Sequence, residues 1–268
     1  MKANRIYNIL CCALLVCMAL AACDPVADSE RYQYLGEAQV DSVGRTVLLE
    51  EFTGQNCSNC PSAHRVIETL QQTYADRLIC VSIHAGDFAL YDGQLGSYPG
   101  LRTTDGDAYA NAWGVDSYPC GVVDRCTGLQ NHSQWATSVY ARLQEPTDVS
   151  LALDASLADG VITVESTIES QQSQTANLQL WVVEDSIVSY QLDGSTPVLD
   201  YEHNNVYRAS INGTQGSPIS MAAGEQLHVT HSIEVGTTWT PANLRVVGFA
   251  YDNSGVLQAA QTRITIKK

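Results

Sequence analysis

The stretch VLLEEFTGQNCSNCPSAHRVIETLQQTYADRLICVSIH at residues 47–84 decides the fold of the first half of the chain. Residues 47–52 are predominantly apolar and predict a strand, which a short turn separates from the CxxC pair Cys57 and Cys60. Apolar residues then recur at helical spacing. Residues 78–84 form a nearly continuous apolar run, which is typical of a buried parallel strand. The order strand, CxxC, helix, strand predicts a right-handed βαβ unit.

Further α/β elements follow this unit as far as Pro146. A short helix is predicted over residues 107–113, and a strand over residues 121–125. A last helix is predicted over residues 133–143, with Ser133 as its N-cap, and Pro146 ends it. We therefore predict that residues 41–146 form one α/β domain.

Residues 147–268 show a different pattern, in which apolar and polar residues alternate over short segments. Turn sequences such as Asp193-Gly194 separate these segments. Six or more short strands at this spacing favour an all-β sandwich that is immunoglobulin-like in broad shape. Trp181 is interpreted as a core or sheet-edge side chain rather than a platform for carbohydrate. The string at residues 203–208 is either a surface loop that binds a ligand or a segment packed against the other domain or a sheet edge.

Two resemblances carry the fold prediction further. The strand, CxxC and helix, followed by Tyr118-Pro119 before a strand, resemble the thioredoxin superfamily. The more particular phrase EFTGQNCSNCP at residues 51–61, with Tyr118-Pro119 and Val-Asp-Arg at residues 123–125, resembles the outer-membrane-protein-28-related lipoproteins of Bacteroides-like bacteria. The string HNNVYR at residues 203–208 is similar to that family as well. The resemblance implies an α/β thioredoxin-like domain followed by a β-rich domain.

The same resemblance implies roles for four residues. Pro119 would follow a cis peptide bond and lie beside Cys57. Cys57 would be the exposed nucleophile, and Cys60 would be the resolving thiol. Glu51, six residues before Cys57, would be a buried acid that exchanges a proton with Cys60.

The residues themselves leave several alternatives open for the CxxC pair. It can be a redox pair, a structural disulfide or half of a zinc site. The redox chemistry suits a cysteine at a helix N-terminus, where free N–H groups and the helix dipole stabilise a thiolate. His64 extends the pair to C-x2-C-x3-H, but no second CxxC completes a tetrahedral set, so we predict no metal and no cofactor.

Three further cysteines follow the CxxC pair in the chain. Cys120 follows the predicted cis proline and is either an additional redox thiol, a small buried residue or a disulfide partner of Cys126. Cys126 is equally well a free thiol. Cys80 alternates within a buried strand and is interpreted as an inert core thiol.

The N-terminal 22 residues have the composition of a secretory signal peptide, with a short basic region before an apolar run. The following Cys23 completes a sequence that looks like a bacterial lipobox, which implies a lipid on its sulfur. Residues 23–40 are predicted to be a lipidated tether that holds the protein at the outer membrane, facing the periplasm or the cell surface. No later apolar run is long enough to span a bilayer.

The composition narrows the function without naming it. The formal charge is −15, and Lys2, Lys267 and Lys268 are the only lysines. This balance argues against a nucleic-acid partner, which needs a basic face. Two hypotheses remain: an enzyme of thiol–disulfide exchange acting on an unidentified protein thiol, and a non-enzymatic surface-binding or adhesin-like module with a structural disulfide.

Overall fold

The first two strands and the helix between them follow directly from the apolar pattern of residues 47–84. The computed structural model describes residues 44–267. Strand β1 (Val47–Thr53), helix α1 (Cys60–Tyr74) and strand β2 (Leu78–His84) follow in that order. The two strands are parallel and buried along their whole length. The predicted signal peptide, Cys23 and the tether lie outside the described residues.

The remaining elements of the first half are α2 (Thr104–Trp113), β3 (Cys120–Val123) and α3 (His132–Leu143). Both helices begin earlier than predicted because residues further upstream cap them. Thr103 Oγ1 accepts a hydrogen bond from Gly106 N at 2.9 Å and caps α2. Asn131, and not Ser133, is the N-cap of α3. Its side chain and that of Gln134 form a capping box.

Within the described residues, the regular structure of the second half is β-structure apart from one 3₁₀ turn, so the predicted β-rich character is confirmed. Short 3₁₀ turns occur at Ala75–Arg77, Gly86–Phe88 and Pro241–Asn243. The strands are β4 (Val149–Ala158), β5 (Val161–Ser170), β6 (Gln174–Glu184), β7 (Ile187–Asp193), β8 (Thr196–His203), β9 (Val206–Ser210), β10 (Ser217–Met221), β11 (Gln226–Glu234), β12 (Leu244–Asp252), β13 (Gly255–Arg263) and β14 (Thr265–Ile266).

These strands form three sheets. The largest has eight strands in the order β13-β12-β6-β9-β2-β1-β3, with β10 also paired to β6. It takes strands from both sides of residue 146, because β9 lies between β6 and β2. The second sheet has the order β11-β5-β4-β14. The third is the hairpin of β7 and β8, which pair only with each other.

Separate apolar clusters hold the layers together. One contains Val47, Leu70 and Trp135 and joins β1 and β2 to α1 and α3. A second contains Trp181, which is a fully buried core side chain, and includes residues from both halves of the chain. A third lies among the strands of the second half. None of the helices within residues 44–267 is both long and apolar enough to cross a bilayer.

Candidate functional site

The CxxC pair forms a disulfide at the beginning of α1. Cys57 and Cys60 are bonded, and Cys60 is the first residue of the helix. Cys60 is fully buried, and Cys57 is only 3 % exposed. The expectation that Cys57 is an exposed nucleophile is therefore wrong for this conformation. The turn that carries the disulfide is hydrogen-bonded to the β7–β8 hairpin and also to Phe88, whose backbone oxygen accepts from Asn56 N at 2.8 Å.

The hairpin donates hydrogen bonds to backbone carbonyl oxygens of this turn. The turn at residues 54–58 offers four such acceptors, and β7 and the residue after it supply the donors. Side-chain and backbone N–H groups both take part. The hydrogen bonds run from Gln191 Nε2 to Cys57 O (3.1 Å) and Gly54 O (3.3 Å), from Leu192 N to Gln55 O (2.8 Å), and from Gly194 N to Ser58 O (2.9 Å).

The side chain of Gln55 stabilises the same turn through hydrogen bonds to residues outside the hairpin turn. Its side chain is fully buried. Its Nε2 donates to Pro99 O and to Ser189 Oγ, each at 3.0 Å, and its Oε1 accepts from Leu101 N at 3.0 Å. Gly54 is required beside it, because a Cβ there would lie 2.5 Å from the backbone of Phe88. The CxxC turn is thus held between the 88–101 segment and the hairpin.

Glu51 lies on β1 as a fully buried acid. Ser82 Oγ on β2 donates a hydrogen bond to its Oε2 at 2.6 Å. Its Oε1 lies 3.5 Å from Nε2 of His64, one turn after Cys60 on α1. Burial raises the pKa of Glu51 to about 8, against a smaller opposing effect of the Ser82 hydrogen bond. The carboxyl group is therefore mainly protonated at neutral pH and can act as a proton donor.

His64 connects this acid to the hairpin. Its Nε2 lies 3.0 Å from Thr53 Oγ1, and its Nδ1 lies 2.7 Å from the hydroxyl of Tyr201 on β8. Burial lowers the pKa of His64 to about 3. Both His64 and Glu51 are consequently neutral at pH 7, so their contact is polar and not an ion pair.

Two more buried histidines, together with His64, line a small cavity under the hairpin. The rings of His84 on β2 and His203 on β8 have centroids 5.4 Å apart, and the rings of His64 and His203 have centroids 6.4 Å apart. Burial lowers the pKa of His203 to about 4 and that of His84 well below its usual value. Neither ring nitrogen of His84 has a hydrogen-bond partner among residues 44–267. The cavity measures about 30 Å³, which is room for one water molecule.

These histidines do not amount to a metal centre. No group of three or more His, Cys, Asp or Glu side chains in the described part of the chain is arranged to hold a metal ion. The two nitrogens of His64 face Thr53 and Tyr201, as given above. The arrangement is suited to neutral hydrogen bonding and proton transfer.

The predicted cis proline and the other cysteines lie on or near β3 and β2. The Tyr118–Pro119 peptide bond is cis. Cys120 pairs in register with Phe52 of β1 and is buried, which raises the pKa of its thiol to about 12. Burial also raises the pKa of Cys80. Cys80, Cys120 and the exposed Cys126 are all free thiols.

The sequence interpretation placed a turn at Asp193-Gly194, but it missed the docking of the hairpin on the CxxC turn, the role of Gln191 and the docking of His203 against His84. A signal for the hairpin itself was available. Asp193-Gly194 is a strong hairpin-turn sequence, and apolar and polar residues alternate in the β7 segment before it. Nothing in that pattern indicates which surface the hairpin covers.

Fold and site together define a β-rich protein with an α/β first half and a covered CxxC disulfide. The family profile of Outer membrane protein Omp28 matches residues 106–268. The chain belongs to this family, so the predicted location at the outer membrane is confirmed. The matched segment begins after the CxxC pair and includes the hairpin. Among curated proteins no relative was found.

Three solved structures match the chain at low sequence identity, and only the first two, with TM-scores of 0.50 or more, support a shared fold. HBP35 of Porphyromonas gingivalis is 16% identical with a TM-score of 0.66, over 83% of this chain and 76% of that chain. Protein AGR_C_4864 from Agrobacterium tumefaciens is 15% identical with a TM-score of 0.50, over 80% of this chain and 92% of that one. A domain of the outer membrane lipoprotein Omp28 from Porphyromonas gingivalis is 16% identical with a TM-score of 0.34, over 46% and 93%.

Proposed function

We propose that the protein carries out thiol–disulfide exchange in the cell envelope through Cys57 and Cys60. The observation that carries the proposal is the position of the disulfide. It lies at the N-terminus of α1, directly after β1, with the protonated Glu51 buried on that strand. Free N–H groups and the positive end of the helix dipole favour a thiolate at this position.

The exchange step accepts two electrons from a substrate dithiol. One substrate thiolate attacks Cys57 Sγ, the Cys57–Cys60 bond breaks, and Cys60 leaves as a thiolate that takes up a proton. The second substrate thiolate then attacks the substrate sulfur of the mixed disulfide and releases Cys57. The substrate is left as a disulfide, and its two electrons are on Cys57 and Cys60. The two protons that its thiols released to solvent return, one to Cys57 and one to Glu51, which has given its own proton to Cys60. Glu51 is assigned as the proton donor to Cys60.

The proposal includes the finer architecture. We infer that residues 41–146 are a thioredoxin-like domain with Pro119 beside the disulfide, and that residues 147–268 are an immunoglobulin-like domain. The parallel β1–α1–β2 unit with antiparallel β3 supports the first. The apolar cluster among β4, β5, β6 and β12 supports the second. A lipid on Cys23 would anchor both to the membrane.

A redox titration of the purified protein tests the function. The protein is equilibrated in glutathione buffers, its thiols are alkylated, and the peptides that contain Cys57 and Cys60 are weighed by mass spectrometry. We expect reversible reduction with retained circular dichroism, at a potential in the range of known exchange proteins, about −120 to −270 mV. A bond that is reduced only when the protein unfolds contradicts the proposal.

One observation favours a second candidate, a binding module in which the disulfide only braces the start of α1. Cys57 is 3 % exposed, whereas an exchange cysteine has to be reached by its substrate. In this candidate the ligand is bound elsewhere on the surface and remains unidentified. The same titration separates the two candidates, because a bracing disulfide stays oxidised as long as the fold persists.

A further inference from the structure

We infer that the β7–β8 hairpin is a removable cover for the Cys57–Cys60 disulfide, which undergoes exchange only when the hairpin has moved away from the CxxC turn. This inference rests on the proposed function, since it states what controls access to the exchange site. It starts from the burial of Cys57. An attacking thiolate must reach the sulfur of Cys57, and with the hairpin in place only 3 % of that residue is exposed.

The hairpin is an independent sheet held at its ends. Its strands pair with each other and with no other strand among the described residues. Its two ends, after β6 and before β9, are close together, because Asn205 N donates to Asp185 Oδ1 at 2.8 Å. Ser186 N likewise donates to Asn204 Oδ1 at 2.8 Å. A movement at this one place would carry the whole hairpin.

The connecting residues at the two ends of the hairpin have left-handed backbone conformations. Ser186 and Asn205, one at each end of the hairpin, have φ angles of 56° and 61°. This left-handed region is uncommon for residues other than glycine, and it occurs at switch regions of other proteins. Each end of the hairpin therefore contains a residue whose φ angle can change to the extended region when the hairpin moves.

The contact under the hairpin is mainly polar, so opening exposes little apolar surface. Ser189, Gln191 and His203 face the body of the protein and are buried. The apolar part is a cluster of Ile187 with Leu101 and Val206. Hydrogen bonds between the hairpin and the CxxC turn can be exchanged for hydrogen bonds to water at a small net cost. A polar contact of this kind suits reversible docking better than a fixed core.

The test is the rate at which dithiothreitol reduces the disulfide in the purified, folded protein. Each dithiothreitol molecule loses two electrons and two protons and becomes a cyclic disulfide, and Cys57 and Cys60 become thiols. Gln191→Ala removes the hydrogen bonds from β7 to Cys57 O and Gly54 O. We expect it to speed reduction roughly fivefold, as for the loss of one net hydrogen bond from the closed state. Val188→Ala, on the exposed face of the same strand, is the matched control and should keep the wild-type rate.

A second measurement uses the unaltered protein, so it does not depend on whether a variant folds. In hydrogen exchange, the amides of Leu192 and Gly194 should exchange faster than the amides of β1 and β2, because they open with the hairpin and not with the whole fold. Equal exchange in the hairpin and in β1 overturns the cover, as does an unchanged reduction rate in Gln191→Ala.

The failure of the cover and the failure of the proposed function look different. If the disulfide is reduced reversibly in the folded state at the same rate in both variants, the cover is wrong and the exchange function stands. If reduction occurs only together with loss of circular dichroism, the exchange function is wrong, and the cover has nothing to control.

Discussion

Gln191 Nε2 lies 3.1 Å from the carbonyl oxygen of Cys57, although 134 residues separate them in the chain. The turn that carries the disulfide is therefore completed by a strand from the second half of the protein. The first half supplies the cysteines, the helix N-terminus and the buried acid. In the proposed function the second half controls access to them, so the two halves would act as one functional unit.

The free thiols should differ sharply in their reactivity. Cys126 is exposed, whereas Cys80 is fully buried and Cys120 is 6 % exposed. Burial also raises the pKa values of Cys80 and Cys120, which leaves both thiols protonated at neutral pH. We expect iodoacetamide to modify Cys126 first in the native protein. Peptide mapping by mass spectrometry checks the order.

The labelling also decides the role of Cys120. Cys126→Ser should leave the native protein with neither Cys80 nor Cys120 labelled, while both are labelled after denaturation. Rapid labelling of Cys120 in the native state would contradict the assignment of a buried, inert thiol. It would revive the hypothesis of an additional exchange cysteine beside the CxxC pair.

The elements that were predicted well from the sequence are those whose pattern lies within consecutive residues. The apolar runs of β1 and β2 and the helical period of α1 lie in consecutive residues, so their positions followed from the pattern. The β9 strand was harder because its polar residues are buried in pairs. Arg208 Nε lies 3.3 Å from Glu184 Oε2. Directly before the strand, Asn205 Oδ1 accepts a hydrogen bond from Arg245 Nη2 at 2.8 Å.

Such pairing makes a core segment look like a surface segment. Of the two interpretations of residues 203–208, packing within the fold is confirmed, and at the centre of a sheet rather than at its edge. The docking of the hairpin on the CxxC turn was not predictable for a different reason. Its hydrogen bonds end on backbone carbonyl oxygens, which every residue carries, so the side chains of residues 54–58 do not encode the partner.

Arg125 should be a major determinant of stability. Its guanidinium donates two hydrogen bonds to the buried carboxylate of Glu50, at 2.8 and 3.0 Å, and stacks on Phe249 and Tyr251 at 4.6 Å from each ring centroid. Arg125→Ala would leave Glu50 buried without a partner. We expect it to lower the free energy of unfolding by about 3–5 kcal/mol. Urea denaturation followed by tryptophan fluorescence measures the change.

A matched substitution separates this effect from the loss of any arginine. Arg263 is exposed at the end of β13, and Arg263→Ala should change the free energy of unfolding by no more than about 0.5 kcal/mol. Arg125→Lys should change the free energy of unfolding by an intermediate amount. Lysine keeps the charge but makes neither the bidentate hydrogen bonds nor the stacking contacts. Similar effects for Arg125→Ala and Arg263→Ala would refute the assignment.

Acid should destabilise the docked state of the hairpin. In the closed state the pKa of His203 is about 4 and that of the facing His64 is about 3, and the pKa of His84 is also depressed. In an open hairpin their pKa values return towards 6.5, so the open state binds more protons below that pH. The closed state therefore loses stability as the pH falls from 6.5 towards 4. Hydrogen exchange of hairpin amides, corrected for intrinsic rates, should be faster at pH 5 than at pH 7.

Other charged groups around the cluster bear on this pH dependence. Arg208 and Arg65 add to the lowering of the pKa values of His84 and His64 respectively. His203→Asn should weaken the acid sensitivity, whereas His228→Asn, at an exposed position on β11, should leave it unchanged. Hairpin exchange that does not respond to pH between 7 and 5 would contradict the prediction.

Glu51 should make the whole protein less stable in alkali. Its pKa is about 8 in the folded protein and near 4.5 when unfolded. Its favourable contribution is complete below pH 4.5 and is lost as the pH rises through 8, because the unfolded chain gives up the proton first. Glu51→Gln stays neutral and can still accept a hydrogen bond from Ser82. We expect the variant and the wild type to have similar free energies of unfolding at pH 5, and the variant to be more stable at pH 9.

Glu234→Gln, at an exposed position on β11, is the control and should follow the wild type at every pH. Parallel curves for Glu51→Gln and the wild type would show that Glu51 is already ionised at neutral pH, and Glu51 could then not be the proton donor to Cys60.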